Sequence, residues 1–254
     1  MSARQAPPLP DAEFFAPKGK PYASMRVSVG GIRVNVRYRY QPGGKRPVVF
    51  LPGFGCSQVD FAAAFDHPSL AGRALLTFDF PGQAGAPSPE GFSYSMESLA
   101  KLTHAVVKRL RLENVAVVGH SMGGVVATMF ARSHPEAVST LVNVEGGVVG
   151  SAFAFRPSAA RHAQQLNYMS PLAYVGYGES LGRLFNREYV LRLLECDALR
   201  GVKKIYVHGS DAPFMRDVER LKRVAEVVRV PASGHFVVQD NPPHFFKALA
   251  QRLA

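Results

Sequence analysis

The chain has 254 residues, 47% of them hydrophobic and 19% charged, a composition that fits an ordinary globular core and excludes a disordered or fibrous protein. Thirty Lys and Arg against 19 Asp and Glu leave a formal charge of +11. The basic residues are scattered singly and in pairs, such as Lys108-Arg109, Lys203-Lys204 and Lys222-Arg223, and no nucleic-acid-binding motif accompanies them, so the charge reads as solvated surface and argues against a nucleic-acid or membrane partner.

Residues 1–24 are rich in Pro and Ala, show no hydrophobic period and lack the apolar segment of a signal peptide. They predict a loose N-terminal arm on a cytoplasmic protein, in which Cys56 and Cys196 are expected as free thiols. Apolar runs reach only about eight residues, short of the ~20 that cross a bilayer. Next, MRVSVGGIRVNVRYRY alternates apolar and polar residues on both sides of Gly30-Gly31 and predicts a half-exposed hairpin. RPVVFLPGFGCS is a continuous apolar run ending in glycines, as for a strand buried on both faces of a parallel sheet.

The alternation of buried strand and helix then continues. ALLTFDFPG reads as a strand, SMESLAKLTHAVVKRLRL as a helix opened by Ser95 with Glu97 in its first turn, and NVAVVGHS as a strand. GGVVATMFARSHPE is a helix, STLVNVEGG a strand, KKIYVHGSD a strand, DVERLKRV a helix, AEVVRVPASGH a strand and NPPHFFKALAQRLA the final helix. Between residues 150 and 200 the rhythm breaks into aromatic and Gly-Pro-rich pieces followed by one helical segment, REYVLRLLECDALR. This stretch is expected as a small helical cap, which leaves residues 25–149 and 201–254 as the core: a mostly parallel, doubly wound α/β sheet.

Ser121 in GHSMGG stands at the sharp turn between a buried strand and a helix, where its hydroxyl is pushed out at the carboxyl end of the sheet. Gly119, Gly123 and Gly124 leave room for such a turn, because side chains there would collide with the neighbouring strand and helix. The N–H groups that follow begin a helix and favour negative charge. A nucleophile in that place has an oxyanion donor beside it.

With LPGFGCS, FDFPGQAGAPS, GHSMGG and PASGHFVVQDNP in order, the chain from about residue 26 to 254 resembles the α/β-hydrolase fold family. The resemblance implies a sheet of about eight strands and a Ser-His-acid triad with no cofactor and no metal. It carries the base onto His235, before the last helix, in preference to His120. For the acid two positions stay open: Glu145, ending its apolar strand, and Asp211 in HGSDAPF, one residue earlier than the usual spacing. The oxyanion donors carried over are the backbone N–H groups of Phe54 and Met122.

The aromatic residues Phe153, Phe155, Tyr168, Tyr174 and Tyr177 fit either the core of the cap or the lining of an apolar acyl pocket. Cys56 reads as an inert packing residue. The expected activity is hydrolysis of a small carboxylic ester, lactone or thioester through an acyl-enzyme, with a small acyl compound as the partner. The same residues would serve a carbon–carbon bond hydrolase or an acyltransferase, and the fold also suits a non-catalytic binding protein. A homo-oligomer is left open.

Overall fold

The structure, a computed structural model, describes residues 22–147, 157–184, 187–210 and 218–253. Strands β1 (Ala23–Val29) and β2 (Ile32–Gln41) form the expected hairpin, followed by β3 (Lys45–Leu51) and β4 (Arg73–Phe78). Helix α1 (Met96–Arg109), β5 (Val115–His120), α2 (Met122–Ser133) and β6 (Val138–Val144) continue the alternation. Three helices come next, α3 (Pro157–Leu166), α4 (Pro171–Leu184) and α5 (Arg187–Glu195). The chain then closes through β7 (Lys203–Gly209), α6 (Val218–Val224), β8 (Glu226–Val230), α7 (Val237–Asp240) and α8 (Pro242–Ala250).

The eight strands make one sheet in the order β1-β2-β4-β3-β5-β6-β7-β8. The pairs β1–β2 and β2–β4 are antiparallel and all others parallel. Because side chains alternate across a strand, Val115 and Val117 of β5 enter one core with α1 and α2, while Ala116 and Val118 enter the other with α8. Every residue of β5 is buried. The sheet is covered on both sides, which is why its central strands read as unbroken apolar runs.

Local signals set the ends of α1 close to where they were expected. Ser95 caps α1 by accepting the Ser98 N–H at 3.2 Å, and Lys108 and Arg109 close the last turn against the helix dipole. Three regions differ from the sequence reading: the strand expected over AEVVRVPASGH ends at Val230, because Pro231 opens a turn, and two other stretches hold unexpected helical turns. Residues 57–70, for which no element was expected, hold two 3-10 segments, Gln58–Phe65 and Pro68–Leu70, the first started by the Asp60 carboxylate accepting the Ser57 N–H at 2.9 Å. Residues 171–184, read as Gly-Pro-rich, form the 14-residue helix α4. Pro171 suits a first helical position, and Gly176 lies so close to α1's entry that a Cβ would stand 2.5 Å from that of Tyr94.

Helix α3 lies against α7, α4 against α1, and α5 against α2 and α6. Among the described residues no helix is long and apolar enough to cross a membrane. Of the loose arm expected over residues 1–24, residues 1–21 lie outside the described residues, while Ala23 and Ser24 already pair in β1; residues 148–156, including Phe153 and Phe155, also lie outside the described residues.

Candidate active site

Ser121 sits alone between β5 and α2 with φ 52° and ψ −117°, a conformation that costs an L-residue strain and persists only where the surroundings impose it. They do so through contact. A Cβ on Gly119 would overlap the Gly123 carbonyl, and one on Gly123 would overlap the Leu51 carbonyl. The Ser121 N–H donates to the Val144 carbonyl at 2.8 Å, and its own carbonyl accepts the Gly124 N–H at 2.9 Å. The serine is thus fixed to the end of β6 on one side and to the first turn of α2 on the other.

Glu145 follows β6 directly, with φ 55° and a side chain wholly out of solvent. Its N–H donates to the Val207 carbonyl at 2.9 Å, and its Oε1 accepts the Gly209 N–H at 2.8 Å. Its Oε2 lies 3.6 Å from His235 Nδ1. The carboxylate therefore straps β6 to β7 and faces the imidazole at the same time. Asp211 lies outside the described residues. Another buried carboxylate, Asp79, is engaged elsewhere: it accepts from Arg37 Nε, Gln58 N and Gln58 Nε2, each at 2.9 Å.

His235 occupies the loop between β8 and α7 and is 9% exposed. Burial, reinforced by the neighbouring His162 and opposed by Asp240, lowers its pKa to about 4, so it is a neutral base near pH 7. Asp240 also accepts the Gly234 N–H at 2.9 Å and so holds the loop from behind. His120 is a brace for the same loop. Its Nε2 donates to the His235 carbonyl at 2.8 Å, and burial depresses its pKa to about 3. Since a carbonyl only accepts, the proton of neutral His120 belongs on Nε2.

The loop after β3 lies against Ser121. A Cβ on Gly53 would lie 3.3 Å from that of Ser121, which brings Phe54 next to the elbow, the sharp strand-to-helix turn that carries Ser121. The Phe54 N–H donates to no protein group among the described residues, and Met122, at the first position of α2, has no intrahelical acceptor for its N–H. Helix α3 leans on this loop: Gln165 Nε2 donates to Asp60 Oδ1 at 3.2 Å and to Ser57 Oγ at 3.3 Å. Tyr174 of α4 stands with its ring 5.5 Å from that of Phe54. Tyr177 instead is core, its hydroxyl donating to the Pro81 carbonyl at 2.9 Å.

Cys56 and Cys196 are free thiols, and burial together with Asp60 pushes the Cys56 thiol well up, away from the reactive thiolate. Among the described residues no group of three or more His, Cys, Asp and Glu is placed to hold a metal ion.

Three residues that the sequence did not single out shape this site. Asn143, wholly buried, donates from Nδ2 to the Gly146 carbonyl at 3.1 Å and to Thr128 Oγ1 at 3.2 Å, while its Oδ1 accepts the Gly146 N–H at 2.8 Å. It joins the turn carrying Glu145 to the helix carrying Ser121. Gln83 and His162 flank Phe54. A polar residue inside the apolar β6 run was the available signal for Asn143. Gln83 lies in a motif already noted, and His162 carried no signal at all.

This open sheet with a strained serine between its central strand and helix defines the class, and the chain belongs to the alpha/beta hydrolase fold family, whose model matches residues 46–159. Among curated relatives, it is 30% identical to LipZ of Mycobacterium tuberculosis, named as a hydrolase, over 80% of this chain and 71% of that protein. It is 31% identical to a 2-hydroxy-6-oxononadienedioate/2-hydroxy-6-oxononatrienedioate hydrolase of Paraburkholderia phymatum, over 58% of this chain and 52% of the relative. In that match and others like it, the chain spans about half the length of the curated relative. Solved structures share the fold at low identity. An esterase of Thermogutta terrifontis superposes with a TM-score of 0.74 at 16% identity, covering 91% of this chain and 98% of that one. The N-acyl homoserine lactonase AidH does so with 0.73 at 18% identity, covering 92% and 97%.

Proposed function

We propose that the protein is a serine hydrolase that cleaves a small carboxylic ester, lactone or thioester through an acyl-enzyme, with residues 150–200 acting as a cap over the cleft. Ser121 Oγ attacks the acyl carbon while His235 Nε2 takes its proton. The tetrahedral oxyanion is held by the N–H groups of Phe54 and Met122. His235 then returns the proton to the leaving alcohol or thiol as the C–O or C–S bond breaks. Water, deprotonated by His235, releases the acid from Ser121 in the second half.

Glu145 is the third member of the triad in this reading. The observation that carries it is the buried Glu145 carboxylate 3.6 Å from His235 Nδ1, at the same end of the sheet as the strained Ser121. A carboxylate there fixes the imidazole tautomer and stabilises the cation formed in each transition state. Each backbone donor at the oxyanion contributes about 3 to 4 kcal/mol of further stabilisation. The relatives named as hydrolases and the esterase and lactonase that share the fold are consistent with this substrate range.

A second reading has its own support. One relative, 29% identical over 69% of this chain, is named as the dihydrolipoyllysine-residue acetyltransferase component of an acetoin cleaving system, and an acyl-enzyme attacked by an alcohol or thiol in place of water gives acyl transfer with the same residues.

The test is release of p-nitrophenol from short and medium acyl esters near pH 8, with fluorophosphonate labelling of the serine alongside. Wild type is expected to turn over and to be labelled, and Ser121→Ala to do neither. Labelling without turnover on any ester would leave the nucleophile and overturn the substrate class. Loss of both in wild type would overturn the enzyme reading.

A further inference from the structure

We infer that Gln83 is a positioning residue that aims the Phe54 N–H into the cleft, an inference that rests on the oxyanion role proposed above for Phe54. Gln83 is wholly buried in the loop after β4, 30 and 28 residues from its two targets. Its Nε2 donates to the Gly53 carbonyl at 3.2 Å, and its Oε1 accepts the Gly55 N–H at 2.6 Å. One primary amide thus grips the peptide on each side of Phe54.

The geometry of a trans peptide gives this grip its consequence. The carbonyl of Gly53 and the N–H of Phe54 belong to one plane and point in opposite directions. The Gly53 carbonyl accepts both from Gln83 Nε2 and from the Cys56 N–H, the latter also at 3.2 Å. Held at that end by two donors, the plane presents the Phe54 N–H on its other side.

The next plane is held at both ends. Its N–H, that of Gly55, donates to Gln83, and its carbonyl, that of Phe54, accepts from His162 Nε2 of α3 at 2.7 Å. Of the four polar groups in the two planes, three are bonded within the protein. The Phe54 N–H is the one that no protein group among the described residues receives. A donor left over after its neighbours have been fixed is preorganised, and costs no reorientation when negative charge develops.

Among side chains of this length, only the amide offers a donor and an acceptor at every pH. Ionised glutamate keeps an acceptor for the Gly55 N–H but sets a second acceptor against the Gly53 carbonyl. Methionine fills the space and offers neither bond. In both variants the plane before Phe54 loses a donor that fixes it, and the Phe54 N–H is free to rotate away from the oxyanion. Gln83 itself is wholly out of solvent, so its side chain does not face a bound substrate.

The experiment compares wild type, Gln83→Met, Gln83→Glu and Ser121→Ala. It reads kcat and KM on a p-nitrophenyl ester, thermal melting, and affinity for an alkyl trifluoromethyl ketone, which adds to the serine and carries the oxyanion. Both Gln83 variants are expected to lose ~10- to 100-fold in kcat, at most the loss of one donor, with KM within about twofold and ketone affinity falling by the same factor as kcat/KM. If Gln83→Met does not fold, Gln83→Glu carries the test, since it keeps one of the two bonds. Wild-type kcat and ketone affinity in a folded Gln83 variant, or a rise in KM with kcat unchanged, would overturn the positioning role while an inactive Ser121→Ala kept the hydrolase reading. Wild-type turnover by Ser121→Ala would instead remove the hydrolase reading, and this inference with it.

Discussion

Glu145, facing His235, and Tyr174, facing Phe54, belong to the same site and are held in opposite ways. Glu145 is tied to β7 through its backbone N–H and its carboxylate, with a side chain out of solvent. Tyr174 is 55% exposed on α4, beside Leu172 at 69% and Val175 at 56%. The strand ends of the sheet carry strained residues tied by hydrogen bonds to the neighbouring strands, and the helices above them carry apolar side chains left in water. Rigid strand ends suit groups that must meet within a fraction of an ångström. Helices of this kind tolerate variation, and under the function proposed here they are where substrate specificity can change without disturbing the chemistry.

Substitutions can break or sharpen this contrast, and the largest effect belongs beneath the strand ends. Asp79, buried and bonded to Arg37 and Gln58, anchors the loop that contains Gln83. Asp79→Ala strips the acceptor from the buried Gln58 N–H and amide as well as from Arg37 and is expected to cost about 3 to 5 kcal/mol, measured by urea denaturation. At the elbow, Gly123→Ala would press a methyl into the Leu51 carbonyl. It is expected to cost about 2 to 4 kcal/mol and most of the activity.

Acid has a smaller, graded effect. The pKa values of His120 and His235 lie below 6.5 in the folded chain, at about 3 and about 4. Between pH 6.5 and 4 the unfolded chain therefore binds protons that the folded chain does not. Stability falls as pH drops through that window, by roughly 1 kcal/mol per pH unit for each histidine, and neither contributes above 6.5. Because His235 remains a neutral base in the fold, turnover is expected to persist at pH 5.5. Melting temperatures and kcat/KM across pH 4 to 8 check both signs; an acid limb centred at or above pH 6.5 would contradict the buried, neutral imidazole. Smallest of all, Leu172→Ser and Val175→Ser are expected to change stability by no more than about 0.5 kcal/mol and leave kcat on a short ester unchanged.

The same contrast governs what could be read from the sequence. The elbow was legible because its causes are local: Gly119 and Gly123 stand within two residues of Ser121, and the clash each avoids follows from a strand turning sharply into a helix. Glu145 was legible as a charge ending an apolar strand, although its bond to Gly209 shows that it also has a structural task. Gln83 and His162 were not, because they act on residues 30 and 108 positions away, and nothing in their immediate neighbours announces a partner. Helix α4 was missed for a related reason. Gly176 lowers helix propensity, and only the close approach of Tyr94 reveals why a glycine is needed inside a helix.

The central claim is that the carboxylate at the end of β6 orients the catalytic imidazole. It is tested most directly by kcat for p-nitrophenyl ester hydrolysis in Glu145→Gln and Asp211→Asn, assayed beside wild type. Glu145→Gln keeps the size of the side chain and removes its charge. It is expected to lose ~10³- to 10⁴-fold in kcat, with Asp211→Asn within a few-fold of wild type. Loss in Asp211→Asn with Glu145→Gln near wild type would contradict the account and move the acid to the loop after β7.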